Sequence, residues 1–154
     1  MRRLILVLAV LGLCGEVVQA KTNTYFVQLI VGTNREKPPD GGKRIGPKLK
    51  MELSPVFQWR EYWEVSRNKI DVVADKRSRI RLTEARELEI QHFSEDRRIL
   101  RLFRDGKVVR KVKDSMSARR LIMGGDSNKD EAWFVVIRRD EPSSEGYLSR
   151  PKSF

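Results

Sequence analysis

Eight cations surround the dipeptide Asp105-Gly106 and are the residues of this chain with the clearest chemical character. They are Arg97, Arg98, Arg101, Arg104, Lys107, Arg110, Lys111 and Lys113. An Asp-Gly pair between two apolar segments, here residues 99–104 and 107–113, predicts a β-hairpin with a two-residue turn. Cations concentrated on one hairpin favour binding to an acidic protein surface or to an anionic polymer.

The two-residue turn sets the expected pairing across the hairpin and, with it, the two faces. Phe103 would lie opposite Val108, and Arg101 opposite Arg110. Because side chains alternate along a strand, the core face would carry Leu100, Leu102 and Val109. We predict that the other face binds a ligand or partner through Arg101, Phe103, Val108 and Arg110.

Two arginines directly opposite each other destabilise a sheet, so an acidic group is expected near Arg101 and Arg110. Glu87 or Glu89, on the strand that precedes the hairpin, could supply it from within the protein. An anionic ligand or a docked protein could supply it from outside. The sequence leaves both alternatives open.

Catalytic chemistry has little support in the sequence. His92 is the only histidine, and it falls on the same expected strand face as Leu88 and Ile90, which is typical of a core or boundary residue. No Gly-x-Ser-x-Gly motif occurs, and the only cysteine is Cys14. We therefore predict no catalytic residue and no cofactor. A hydrolase built on a carboxylate pair remains a third hypothesis, since any chain with this many acids offers such pairs.

One segment resembles the start of a calcium-binding loop. Asp126, Asn128 and Asp130 stand at alternating positions, as oxygen ligands do in such loops. The pattern then fails, because Glu131 occupies the position that needs glycine and Ile137 the position that needs glutamate. We interpret the segment as a polar hairpin loop and predict no metal site.

The elements that must position these residues are mostly short strands. The strands are expected at residues 24–32, 62–67, 70–74, 79–82, 87–92, 99–104, 107–113, 119–123 and 133–138. Proline and glycine among charges predict a loop at 33–44. Pro47 and the spacing of Leu49 and Leu53 favour a short helix near 47–54, although the alternation through Met51 also fits a strand. The fold class is thus a single small antiparallel β-sandwich or open barrel with one short helix.

A dense aromatic group follows the predicted helix. It consists of Phe57, Trp59, Tyr62 and Trp63. Exposed, these rings would form a stacking platform for sugars or bases. Buried, they would close the core between the helix and the first strand of the meander, and we favour this interpretation because large aromatic residues dominate small cores.

The first twenty residues are typical of a secretory signal peptide. Arg2 and Arg3 precede a short apolar run, and Ala20 ends a small-residue cleavage site, so cleavage is expected between Ala20 and Lys21. The formal charge of the whole chain is +11. We predict an exported domain over 21–140, in the periplasm or outside the cell, with no transmembrane segment and a disordered tail over 141–154.

Two segments, SPVFQWREYWEV and ARRLIMGG…AWFVVIRRD, flank the Asp-Gly hairpin. In this arrangement the chain resembles small exported β proteins of unassigned activity. The resemblance implies a short helix followed by a strand meander, and it implies no catalytic or binding residue.

Two functions remain. The first is a non-catalytic interaction module that binds another exported protein through the basic, half-apolar sheet face. The second is a binder of anionic polymers such as acidic polysaccharide, lipid phosphate or extracellular nucleic acid. Export makes genomic DNA an unexpected target. The sequence indicates nothing about oligomeric state.

Overall fold

The computed structural model describes residues 21–39 and 41–142. The predicted leader, with its cleavage site after Ala20, and residues 143–154 of the predicted tail lie outside them. The elements in chain order are β1 (Thr22–Thr33), β2 (Lys43–Arg44), α1 (Pro47–Phe57), β3 (Glu61–Val73), β4 (Arg77–Arg81), β5 (Arg86–His92), β6 (Arg97–Arg104), β7 (Lys107–Ser115), β8 (Arg120–Ser127) and β9 (Glu131–Arg138). The prediction of a mostly β fold with one short helix is confirmed.

The strands form two antiparallel sheets that pack against each other. The large sheet has the order β2-β3-β1-β9-β8, and the small sheet has the order β4-β5-β6-β7. Apolar side chains from both sheets meet between them, including Val27 and Val135 from the large sheet and Leu88 and Leu100 from the small one. The predicted β-sandwich is therefore confirmed.

The central strand β1 is apolar on both faces because both faces of the large sheet are covered. Tyr25, Val27 and Leu29 pack toward the small sheet, whereas Ile30 packs with α1 on the opposite face. Leu53 of the helix is fully buried in this second cluster. The large sheet thus separates two apolar layers, which explains why β1 reads as a continuous apolar run.

A β-bulge in β3 changes which side chains share a face. Leu29 of β1 pairs with Ser66, but Ile30 pairs with Glu64, so one extra residue of β3 lies between them. An inserted residue shifts the alternation of the strand. As a result, Glu64 and Arg67 lie on the same face, the one that α1 covers, although they are three positions apart.

The helix is longer than predicted. It extends through Pro55 to Phe57 instead of ending near residue 54. Proline removes only one backbone hydrogen bond at this place, while burial of Leu49 and Leu53 against the sheet holds the turns on either side. Gln58 caps the end of the helix: its backbone is left-handed (φ 57°), and its N–H donates to the Ser54 carbonyl at 3.1 Å.

Several strand boundaries differ from the predicted ones. The two strands expected at 62–67 and 70–74 form the single strand β3, and β8 continues through the two glycines to Ser127. The last two residues of the predicted loop 33–44 pair with β3 as the strand β2. The predicted tail begins with residues that contact the large sheet, because Pro142 is buried and its carbonyl accepts a hydrogen bond from Arg67 at 3.2 Å.

Candidate functional site

The hairpin of β6 and β7 forms as the Asp-Gly signal predicts. Asp105 (φ 49°) and Gly106 (φ 75°) both adopt positive φ, which is the geometry of the two-residue turn that matches the twist of a hairpin. The turn leaves β7 at the edge of the small sheet. Its first five residues are all exposed, including Val108 at 51% and Val109 at 45%.

The predicted register of the hairpin is correct only next to the turn. Phe103 pairs with Val108 as expected, but Leu102 pairs with Arg110 instead of Val109. A β-bulge between these pairs leaves Val109 as an extra residue of β7. The predicted core position of Val109 is therefore wrong, and Val112 packs against the core in its place.

The bulge also separates the two arginines that were predicted to form one surface. Arg101 pairs with Lys111, not with Arg110. Arg110 is opposite Leu102, whose side chain belongs to the core face, so Arg110 and Arg101 lie on opposite faces of the small sheet. A one-residue shift moves a side chain across the sheet, and the hairpin turn alone did not reveal it.

Arg101 and Phe103 are engaged by a charged network on the outer face of the small sheet. Arg101 Nη1 lies 2.7 Å from Glu89 Oε1, and Arg79 Nη2 lies 3.0 Å from Glu89 Oε2. The Arg79 guanidinium also stacks 4.1 Å above the centre of the Phe103 ring. Glu89 is thus the internal acid near Arg101, one of the two alternatives that the sequence left open.

The electrostatics of Glu89 follow from this network. Its side chain is 7% exposed, and burial by itself raises the pKa of a carboxyl group. The hydrogen bonds and positive charges of Arg79 and Arg101 outweigh burial, so the pKa of Glu89 lies below its ordinary value of 4.5. The group is an anion at neutral pH and holds both guanidinium groups against the sheet.

Strand β7 carries cations that lack such partners. Arg98, Arg101 and Arg104 of β6 each form an ion pair. The cations of β7 are Lys107, Arg110, Lys111 and Lys113. Within residues 21–39 and 41–142, none of these four has a carboxylate oxygen within 4.0 Å of its side-chain nitrogens. We name these four cations, with Val108 and Val109, the β7 edge. It is basic, half-apolar and electrostatically uncompensated.

A second charged group is buried at one end of the sandwich. Arg98 is fully buried, and its Nε and Nη2 lie 2.9 and 2.6 Å from one oxygen of Asp114. Its guanidinium is 5.0 Å from the centre of the Tyr25 ring, and the Tyr25 hydroxyl contacts the His92 imidazole. This group was missed, although Arg98 stands two positions before the core residue Leu100 and therefore on the core-facing side of β6.

The aromatic group after the helix contributes to the core. Tyr62 is 1% and Trp63 is 7% exposed, and Phe57 and Trp59 pack against the apolar cluster under α1. Phe57 lies 4.2 Å from Phe134 between ring centres. The core interpretation of these rings is confirmed for Tyr62 and Trp63.

The loop that resembles a calcium site is organised by the protein itself. Asp126 accepts hydrogen bonds from Arg86 at 2.9 Å and from Arg104 at 2.6 Å. Asn128 Oδ1 accepts the backbone N–H groups of Asp130 and Glu131 at 2.8 and 2.9 Å, as in an Asx turn. Across the part of the chain that the structure describes, no three acidic, histidine or cysteine side chains cluster closely enough to bind a metal ion.

No family model, no curated protein and no solved structure matches this chain.

The cleavage prediction falls at the boundary of the described residues: Ala20 lies outside them, and the Lys21 carbonyl accepts the Ala74 N–H at 3.0 Å. Among residues 21–39 and 41–142, no helix has the length and apolar character needed to cross a bilayer.

Proposed function

We propose that the protein is an exported, non-catalytic interaction module that binds an acidic, extended segment of another exported protein along the β7 edge. The observation that carries the proposal is the difference between the two strands of the hairpin. Three of the four β6 arginines, Arg98, Arg101 and Arg104, form ion pairs within the protein, whereas all four cations of β7 have no acidic partner in the described residues. An acidic partner would complete the missing charge pairs.

The exposed backbone of β7 supports a peptide partner rather than a polymer that has no peptide groups. An edge strand presents N–H and C=O groups that a further strand can pair with. Val108 and Val109 would gain burial from such a strand, whereas a polysaccharide would make no use of them. Lysines on an edge also oppose pairing between two copies of the same strand. The β7 edge therefore disfavours pairing with a second copy of β7 and favours pairing with a strand of opposite charge.

A synthetic peptide in which glutamate alternates with valine and threonine tests the proposal. We expect saturable binding by fluorescence polarisation and slower exchange of β7 amide protons by NMR, because strand addition buries outward-facing amides. The same peptide with lysine in place of glutamate is expected not to bind. Export is tested separately by sequencing the N-terminus of protein recovered from the native cells, where Lys21 is expected as the first residue.

Matched charge reversals locate the binding surface. The double substitution Lys111→Glu with Lys113→Glu is expected to weaken binding of the acidic peptide by at least about tenfold. Lys76→Glu with Lys129→Glu makes the same charge change at exposed lysines away from β7 and is expected to change the affinity by less than about threefold. Equal weakening by both pairs would contradict a localised site.

Heparin distinguishes the polymer hypothesis from the peptide hypothesis. If heparin binds tightly, loses affinity steeply with salt and leaves β7 amide exchange unchanged, the protein is a polyanion binder and the strand-addition proposal is wrong. Val108→Ser with Val109→Ser provides the second criterion. These changes are expected to weaken peptide binding and to leave heparin binding unaffected, because only the peptide buries the valines.

A further inference from the structure

A cavity of about 590 Å³ opens on the face of the large sheet that is remote from the small sheet. Gly46, Pro47 and Lys48 at the start of α1 form one wall, and the segment Asp140, Glu141 and Pro142 forms another. A volume of this size is typical of sites for small molecules. The cavity is separate from the β7 edge, which lies on the other sheet.

The floor of the cavity is polar because of the strand register. Gln28 of β1 pairs with Arg67 of β3, and Arg138 of β9 pairs with Arg120 of β8. The bulge in β3 adds Glu64 to the same face. Arg67 makes a two-pronged ion pair with Glu64, with nitrogen–oxygen distances of 2.8 and 2.9 Å, and Gln28 Nε2 also donates to Glu64.

Positive charge exceeds negative charge around the cavity. The cations that line it are Arg44, Lys48, Arg67, Arg120 and Arg138, and the acids are Glu64, Asp140 and Glu141. Arg120 and Arg138 are direct cross-strand neighbours, an arrangement of like charges that destabilises a sheet. Each has one acid at a terminal nitrogen, Glu52 for Arg120 and Asp140 for Arg138.

Three polar atoms of the cavity residues have no hydrogen-bond partner within the described residues. They are Gln28 Oε1, Arg120 Nε and Arg138 Nε. Gln28 is only 3% exposed, and a buried polar atom without a partner costs about 1–3 kcal/mol. The unmatched groups are thus two guanidinium donors and one amide acceptor, all at one cavity.

We propose that this cavity binds a small hydroxylated anion, a sugar that carries one carboxylate or phosphate group. The anionic group lies between Arg120 and Arg138, where it relieves the repulsion between the two guanidinium groups and accepts their free N–H donors. A hydroxyl group of the sugar donates to Gln28 Oε1. Both interactions are needed, so a neutral sugar lacks the first and a simple anion lacks the second.

Calorimetric titration of the whole protein with four probes tests this inference. Glucuronate and glucose 6-phosphate represent the two anionic groups, glucose removes the charge, and inorganic phosphate removes the hydroxyl-bearing ring. We expect at least one of the two acidic sugars to bind at least about tenfold more tightly than both glucose and inorganic phosphate. The inference is wrong if neither acidic sugar binds, or if inorganic phosphate binds equally well.

Variants tie the binding to the cavity. Arg138→Gln is expected to weaken binding of the acidic sugar by at least about tenfold. Gln28→Met is expected to weaken binding of the acidic sugar and to leave the affinity for inorganic phosphate unchanged. Arg35→Gln, at an arginine that is 62% exposed and outside the cavity, serves as the control. Should Arg138→Gln fail to fold, Lys48→Gln at the exposed rim replaces it, with a threefold or greater weakening expected. Unchanged affinity in a folded cavity variant overturns the inference.

Discussion

The hydroxyl oxygen of Tyr25 lies 2.9 Å from Nε2 of His92, and both side chains are buried between the two sheets. Burial is the main reason that the pKa of His92 lies below its ordinary value of 6.5. The positive charges of Arg98 and Arg139 lower this pKa further, and the negative charge of Asp75 opposes them. The folded protein therefore favours the neutral imidazole, whose Nε2 is hydrogen-bonded to the Tyr25 hydroxyl.

This relationship predicts that acidification weakens the fold. Well above pH 6.5 His92 is neutral in both the folded and the unfolded chain, and its contribution to stability is constant. As the pH falls from 6.5 to the lower pKa of the folded state, the unfolded chain binds more protons, so the free energy of unfolding decreases. Urea unfolding between pH 8 and 5 should show this loss, and His92→Gln should make it smaller. An identical pH profile for the two proteins would contradict the prediction.

The buried pair of Arg98 and Asp114 predicts a large loss of stability when one partner is removed. Asp114→Asn leaves the guanidinium of a fully buried arginine without its counterion, and we expect a loss of about 3 kcal/mol in the free energy of unfolding. Replacing both residues, with Arg98→Met in the same chain, should recover part of that loss because no buried charge remains. Chemical denaturation of the two variants measures the difference, and a double variant less stable than Asp114→Asn would argue against a charge-based origin.

The sequence predicted the strand content and the hairpin turn because both depend on local patterns. Alternation identified β4 and β5, and Asp105-Gly106 located the turn between β6 and β7. It could not predict the bulge at Val109, since a bulge depends on how the strand fits its neighbours. That single residue decides that Arg110 and Arg101 lie on opposite faces.

The cavity shows the same limit more strongly. Gln28, Arg67 and Arg138 are far apart in the chain, and each reads singly as an ordinary polar residue of a strand. Sheet order and register bring them onto one face, and the bulge in β3 adds Glu64 to it. The buried Arg98, outside this cavity, differs from them. It stands two residues before the core residue Leu100, so alternation along β6 could have revealed its burial.

Removal of Glu89 should destabilise the small sheet in a pH-dependent way. Glu89→Gln loses the charge that both Arg79 and Arg101 contact, and we expect a loss of about 1–3 kcal/mol at pH 7. Because the folded pKa of Glu89 is below 4.5, its stabilising effect is present above that pH and disappears as the pH falls through the folded value. The stability difference between the variant and the natural protein should therefore shrink on acidification.

Glu87 supplies the matched control for Glu89. Its side chain is 25% exposed, and its ion pairs with Arg79 and Arg81 are longer, at 3.5 and 3.6 Å. Exposed pairs of this kind contribute about 0–1 kcal/mol, so Glu87→Gln should have little effect. Equal losses for Glu87→Gln and Glu89→Gln in urea unfolding would show that burial of Glu89 is not the cause.

Two glycines of the large sheet predict opposite effects of one added methyl group. At Gly32 a Cβ atom would lie 2.6 Å from Trp59 Cδ1 and 3.0 Å from a Phe134 ring carbon. Both rings belong to the packed layer under α1, and overpacking such a layer costs about 1–3 kcal/mol.

At Gly124 no atom lies within 4 Å of the added Cβ, and the backbone is not in the positive-φ region. Gly124→Ala should therefore stabilise the strand by about 0.5–1 kcal/mol, because alanine restricts the unfolded chain more than glycine does. Thermal unfolding of the two variants should place their midpoints on opposite sides of the natural protein, and a stabilised Gly32→Ala variant would mean that Trp59 does not pack against β1.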